Sequence, residues 1–431
     1  MGDGAPAGPS WETRLHARAA AALYLHIPFC ERKCAYCDFS SWSTLPGDPL
    51  MAAYARALRS QLAELGADGL LSSCQTAYLG GGTPSLLGAT ELSALVRAVA
   101  NATGALELSV EANPESFCEA MGGSLAEAGA TRVSLGVQSL DDGELDILGR
   151  IHDAETARSA LRFAVASGLD VSCDLMCAIP HQTSGSWGRS LEGVLDAGVV
   201  HASVYPLIVE EGTAFGRAVA DGSMEEPSDE REAACMEEAW RVLARAGLLR
   251  YEVASYALPG HACMHNQAYW TGRPYLGLGS SASGMLTREG YLALRERCCP
   301  QLPEPALGST RLRLRVLSGR RQLAADPRLS SLSFELEELD EGQAAAEDLM
   351  LGARLSRGLD PALVSHARGA LGPSRVDGAL AGCVRRGLLA RGEEGWLVPT
   401  HQGWLLGNEL YGALWDLAEG ETRVSRCHGA A

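Results

Sequence analysis

The chain has 431 residues, 46% hydrophobic and 21% charged, enough for a substantial core and for two domains or one barrel-type domain with an appendage. Its net charge of −17 excludes broad binding to nucleic acid or to an anionic membrane surface, both of which would repel it. Thirteen cysteines in a chain too large to need disulfide staples read as reduced thiols of a cytoplasmic protein, and no apolar run is long enough for a transmembrane segment.

Residues 1–21 are rich in Gly, Pro and Ala and predict a flexible N-terminal arm. Short β-rich runs follow at 23–27, 76–79, 106–110, 132–137, 171–175 and 202–207, separated by helical patterns that include 51–65, 89–99, 154–166 and 186–196. Read as continuously apolar strands, these six repeats predict an α/β fold with a parallel sheet covered by helices, either an incomplete barrel or a doubly wound sheet. The barrel unit is assigned to 22–225. An extension at 226–297 opens with a helix over 230–246 and carries HNQAYW and YLGLG. Residues 298–341, with Cys-Cys-Pro, an Arg-rich run and an acidic run, read as an irregular insertion. Residues 342–418 predict three helices and a hairpin around 388–398, a small winged-helix-like domain, and 419–431 are a tail.

The polar residues stand at the downstream ends of the strands, where α/β folds build their ligand sites. After the first strand come Cys30, Cys34 and Cys37. Three closely spaced thiols suit an iron–sulfur cluster with one iron left open, a zinc ion with a distant fourth ligand, or no metal at all. Gly80-Gly81-Gly82-Thr83 ends the second strand, either as bare backbone that a small ligand can approach or as a plain strand-to-helix turn. Glu111, Gln138 and Asp174 end the next three, as ligand contacts or as acids and amides paired with neighbouring loops. Arg150 pairs an acid or grips a ligand carboxylate. His265 in HNQAYW is a haem ligand or a hydrogen-bonded histidine in an aromatic core. The run 311–321 reads as a solvated face.

The motifs YLHIPFCERKCAYCDF, GGGTPS, VEANPE, RVSLGVQSLDDGELDILGRIH, DLMCAIPHQT, YEVASYA, HNQAYW and YLGLG, in this order, resemble the radical S-adenosylmethionine (SAM) proteins related to oxygen-independent coproporphyrinogen III oxidase, and among them the HemW haem chaperone branch. That resemblance implies a partial (β/α)6 radical-SAM barrel. It places a [4Fe–4S] cluster on Cys30, Cys34 and Cys37, with S-adenosylmethionine on the fourth iron. Tyr24, Gly82, Thr83, Glu111, Gln138, Arg150 and Asp174 match the cofactor-binding set. Tyr36 and Gly81, matching positions that contact a second molecule in the oxidase, complete it, and His265 matches the motif linked with haem. No catalytic residue is assigned. The implied function is a haem chaperone that passes haem to an acceptor protein, served by an electron donor of the flavodoxin or ferredoxin type. The alternative is the oxidase itself, decarboxylating coproporphyrinogen III oxidatively through a 5′-deoxyadenosyl radical. The oxidases carry a further cysteine where this chain has Phe39, which favours the chaperone over an enzyme of porphyrin biosynthesis. The chain departs from the branch pattern at Ser283, where histidine is usual, at Ser255, where asparagine is, and at Ala178 and His181, where glycines are.

Overall fold

Among the described residues thirteen strands join in one mixed sheet, labelled in chain order β1 (Ala22–Ile27), β2 (Thr76–Gly81), β3 (Glu107–Ala112), β4 (Arg132–Gln138), β5 (Asp170–Cys177), β6 (His201–Pro206), β7 (Leu249–Arg250), β8 (Ser255–Ala257), β9 (Tyr275–Leu278), β10 (Ser283–Thr287), β11 (Arg311–Val316), β12 (Phe334–Leu339) and β13 (Arg423–Cys427). The computed structural model describes residues 20–418, 420 and 422–429, so the expected arm lies outside the described residues except for its last two. Strands β1 to β6 are parallel neighbours in sequence order, the partial (β/α)6 barrel, and β9 lies parallel on the free side of β1. Strands β8 and β7 close the β6 edge antiparallel, while β10 to β13 extend the β9 edge as an antiparallel ribbon.

Helices Pro49–Ala67, Gly88–Thr103, Ala154–Ala166 and Ser184–Asp196 cover the outside of the barrel, and Glu119–Ala128, which the sequence reading lacked, covers β3 and β4 with them. Local chemistry starts them. Asp48 accepts the Leu50 amide, Asp153 the Thr156 amide, and Thr183 forms a reciprocal capping box with Ser186. Leu58, Leu62, Leu95, Val99, Leu125, Leu161 and Leu191 join Leu25, Leu79, Val110, Leu135 and Leu175 in one buried core.

The barrel strands are not continuously apolar, as expected, but alternate. Leu23, Leu25 and Ile27 of β1, Leu108 and Val110 of β3, and Val133, Leu135 and Val137 of β4 are fully buried in the helix-facing core. Between them stand Tyr24 and His26, Glu107, Ser109 and Glu111, and Arg132, Ser134 and Gln138, whose alternation places them on the opposite face. The inner face surrounds a cavity instead of a second apolar layer, so polar groups occupy it.

Residues 298–341 are not irregular. They contain β11, the helix Arg320–Ala325 and β12, paired in register with Arg313 opposite Glu337 and Arg315 opposite Glu335. Leu312, Leu314, Phe334 and Leu336 bury the other face. Nor is the arginine run simply solvated. Arg311 is buried and bonds Glu347 and, at 2.7 Å, Asp348. The tail supplies β13, which pairs with β12.

The C-terminal helices Glu341–Gly352, Pro361–Leu371, Pro373–Arg385 and Gly407–Trp415, with the hairpin Leu389–Arg391/Leu397–Pro399, form a winged-helix-like unit around their own apolar cluster. It leans on the barrel extension through Trp404, whose indole donates to the Val253 carbonyl at 2.9 Å. Among the described residues no helix is long and apolar enough to cross a membrane.

Candidate cofactor site inside the barrel

A cavity of about 590 Å³ runs down the inside of the barrel from the cysteine loop, and of the site residues named from the sequence all but Gly80 line it. At its mouth stand Cys30, Cys34, Tyr36 and Cys37. The loop that carries them is tied on both sides: the Ala35 amide donates to the Leu148 carbonyl at 3.0 Å, and the Phe215 amide to the Ala35 carbonyl at 2.8 Å. His26 holds its far end through the Ser40 carbonyl, 2.8 Å from Nε2.

The three thiols are half-buried, and the nearness of Cys34 disfavours ionisation of Cys30 and Cys37. Burial pushes Cys30 and Cys37 up, while the Thr83 hydroxyl, 3.6 Å from the Cys30 sulfur, opposes that shift. The Arg150 guanidinium lies 3.2 Å from the Cys34 sulfur and 2.8 Å from the Gly136 carbonyl. Among the described residues no three His, Cys, Asp or Glu side chains are gathered to hold a single metal ion. Half-buried thiols facing one cavity, with hydrogen-bond donors on their sulfurs, do fit a cluster of iron and sulfide, whose sulfur ligands are tuned by such donors.

The glycine run serves the loop. A Cβ on Gly81, where φ is +114°, would meet the His26 ring at 2.5 Å, and one on Gly82 would meet the Phe29 carbonyl at 2.6 Å. Bare backbone therefore lets β2 pass directly beneath the cysteine loop, where the Thr83 amide bonds the Phe29 carbonyl at 2.7 Å.

Glu111 and Asp174 face the cavity lower down. Glu111 accepts from the Tyr78 hydroxyl at 2.8 Å and the Gly81 amide at 3.0 Å, and Asp174 from the Ser134 hydroxyl at 3.1 Å. Burial, with Asp174 adding repulsion, raises Glu111 to about 7; burial raises Asp174 to about 6. Both carboxylates line the cavity, where a ligand's cationic or donor group can reach them. Gln138 follows a register shift in the β4–β5 pairing and holds a left-handed φ of 64° beside the site, a strained conformation for a side-chain-bearing residue.

His265 sits in the wall but is only 1% exposed. Its Nδ1 lies 2.9 Å from the Thr76 hydroxyl and its Nε2 2.9 Å from the Tyr269 hydroxyl, and burial lowers it to about 3. Its ring stacks on Tyr78 at 5.2 Å, the tyrosine that holds Glu111. Iron ligation by this side chain would require one of those bonds to open.

Several lining residues escaped the sequence reading. Tyr78, Asn113, Arg132 and His201 all face the cavity. Asn113 bridges the Thr83 hydroxyl at 3.1 Å and Glu115 at 3.0 Å. His201 is held between the Ser172 and Tyr251 hydroxyls at 2.7 and 2.9 Å. The signal that could have found them is the period-two polar stripe within each strand.

Known proteins resemble this chain in sequence and in fold. The model of the radical SAM superfamily matches residues 24–192. The "Heme chaperone HemW" of Synechocystis sp. is 36% identical over 287 residues, covering 63% of this chain and 69% of that protein. The protein of the same name from Mycobacterium tuberculosis is 38% identical over 270 residues, covering 61% and 69%. That of Bacillus subtilis is 29% identical over 399 residues, 91% of this chain and 98% of that one. The solved coproporphyrinogen III oxidase HemN of Escherichia coli, a radical SAM enzyme, shares the fold with a TM-score of 0.71 at 19% identity, over 94% of this chain and 92% of that chain. Membership of this superfamily implies a [4Fe–4S] cluster and S-adenosylmethionine, and the chain belongs to its HemW family.

Proposed function

We propose that the chain is a haem chaperone: it binds a [4Fe–4S] cluster, S-adenosylmethionine and haem, and passes haem to an acceptor protein. The observation that carries the reading is the convergence on one cavity of Cys30, Cys34 and Cys37 with Glu111, Gln138, Arg150 and Asp174. The names of the HemW relatives support the haem part.

The cluster would be held by the three cysteine sulfurs and would supply a low-potential electron to a sulfonium cofactor. The chain's own residues position that cofactor. Glu111, kept in place by Tyr78 and Gly81, would take the cationic amino group of a methionine moiety. Arg150 would take its carboxylate while holding the Cys34 sulfur. Asp174 and Gln138 would receive ribose hydroxyls, as acids and amides at such depth are free to do. Tyr24 and Tyr36 border the same space and exclude water from it, and Gly81, Gly82 and Thr83 present backbone to the ligand.

Phe39 in place of a further cysteine supports transfer of haem over decarboxylation of its precursor. Anaerobically reconstituted protein given coproporphyrinogen III, S-adenosylmethionine and a reductant should form no protoporphyrinogen, while it should bind haem. Turnover in that assay would replace the chaperone with the oxidase.

A further inference from the structure

Resting on the haem-binding reading, we infer that the macrocycle is taken at the mouth of the barrel cavity, on Phe39 and Ile208 with Arg32 and Lys33 at its edge, and not on His265. Phe39 is 69% exposed and Ile208 61% exposed, and both line the cavity together with Tyr205 and Pro206. Large apolar side chains left in water around an opening mark a binding surface more often than chance exposure does.

The two banks that carry them are fixed to each other. Phe39 ends the cysteine loop and Ile208 follows β6, and Tyr36 of the loop packs on an apolar cluster of Leu148, Met176, Ile179, Leu207 and Phe215. The Phe215 amide bonds the Ala35 carbonyl at 2.8 Å across the same junction. The two segments that carry Phe39 and Ile208 are therefore held together before any ligand arrives, which lowers the entropy cost of binding.

Charge narrows the occupant. Arg32 and Lys33 are exposed on this rim of a chain whose net charge is −17, and Lys33 reaches back to the Phe39 carbonyl at 3.1 Å. Asp38 and Glu210 border the opening too, so the rim as a whole is not a general anion trap. A flat apolar ring with carboxylates along one edge meets both features at once: its face covers Phe39 and Ile208, and its carboxylates reach the two cations. A porphyrin bearing propionates has that chemistry. His265, sealed at 1% exposure with both ring nitrogens bonded, offers such a ligand neither surface nor a free nitrogen.

Recognition at the rim does not need the iron. The test titrates the reconstituted full-length protein anaerobically with haem, with iron-free protoporphyrin IX and with its dimethyl ester, following tryptophan quenching and the porphyrin absorption. Haem and protoporphyrin IX should bind within about threefold of each other, and the ester about tenfold more weakly, because its carboxylates are blocked. Phe39→Ser combined with Ile208→Ser should weaken all three by about tenfold or more, since two exposed side chains no longer bury area against the ring. Arg32→Gln with Lys33→Gln should weaken haem and protoporphyrin IX but not the ester, and His265→Ala should leave all three unchanged. A wild-type protein that binds haem but not protoporphyrin IX, a Phe39→Ser/Ile208→Ser protein that binds as wild type, or a folded His265→Ala protein that loses haem overturns the inference alone. Failure of wild-type protein to bind haem overturns the chaperone reading with it.

Discussion

The parallel strands β1 to β6 and the antiparallel ribbon β10 to β13 share one pattern, apolar residues alternating with polar ones, and use it for opposite ends. In the ribbon the charges cancel across the strands. Arg313 meets Glu337 at 2.8 Å, Arg315 meets Glu335 at 3.0 Å, and Arg426 of the tail meets Glu335 at 2.9 Å. In the barrel the cancelling is incomplete: Arg132 lies 3.7 Å from Glu107, but Glu111 and Asp174 form no ion pair among the described residues. Burial raises Glu111 and Asp174 to about 7 and about 6, and the Ser109 hydroxyl and the Arg132 Nη1 have no hydrogen-bond partner among the described residues. A polar stripe that closes on itself is scaffold. One left incomplete around a cavity is a site.

The largest effect that would break this contrast is loss of the cysteines. Reconstituted protein should hold about four irons per chain, and Cys34→Ala should hold almost none by iron and sulfide analysis, with the fold retained by circular dichroism. Next comes the ribbon. Arg311→Ala leaves the buried Glu347 with Arg313 alone and Asp348 without its arginine, so the urea midpoint should fall by an amount worth about 3 kcal/mol, two charged hydrogen bonds, while S-adenosylmethionine affinity stays unchanged.

Glu111 makes the opposite exchange. Its folded pKa of about 7 lies above its ordinary 4.5, so the folded state holds the proton more tightly than the unfolded state. Stability of the ligand-free protein should therefore fall as pH rises from about 4.5 to about 7, by on the order of 3 kcal/mol, and level off above. Denaturant titrations of Glu111→Gln should show a shallower slope over that window, with the remainder due to Asp174. Equal slopes would remove Glu111 from the set of uncompensated groups. The smallest effect concerns His181, which holds a left-handed φ of 62° on the surface. His181→Gly should stabilise the chain by about 0.5 kcal/mol, read from the urea midpoint, because glycine adopts that backbone without strain.

Much of this was legible before the fold was known. The six barrel strands, their covering helices and the residues at the strand ends follow from short β-rich runs separated by amphipathic segments, and those strand-end residues meet in one cavity. The interior above the floor was misread because Leu, Val and Ile dominate each strand and mask the alternate Ser109, Ser134, Ser172 and Ser203, which face inward. The ribbon was missed for a related reason. RLRLRV and FELEEL look like charge runs singly, and become strands only when each arginine finds its glutamate across the ladder, a pairing some 24 residues apart for Arg313 and Glu337. The state of His265 was open in the sequence, since only the structure brings Thr76 and Tyr269 to its two nitrogens.

We propose that S-adenosylmethionine binds where the polar stripe is left incomplete. Anaerobic calorimetry on reconstituted wild-type, Glu111→Gln and Arg311→Ala proteins tests it most directly. One molecule should bind per chain in wild type and in Arg311→Ala, and affinity should fall about tenfold or more in Glu111→Gln, as loss of a charged hydrogen bond predicts. Undiminished binding by Glu111→Gln, or no binding by wild type, would contradict it.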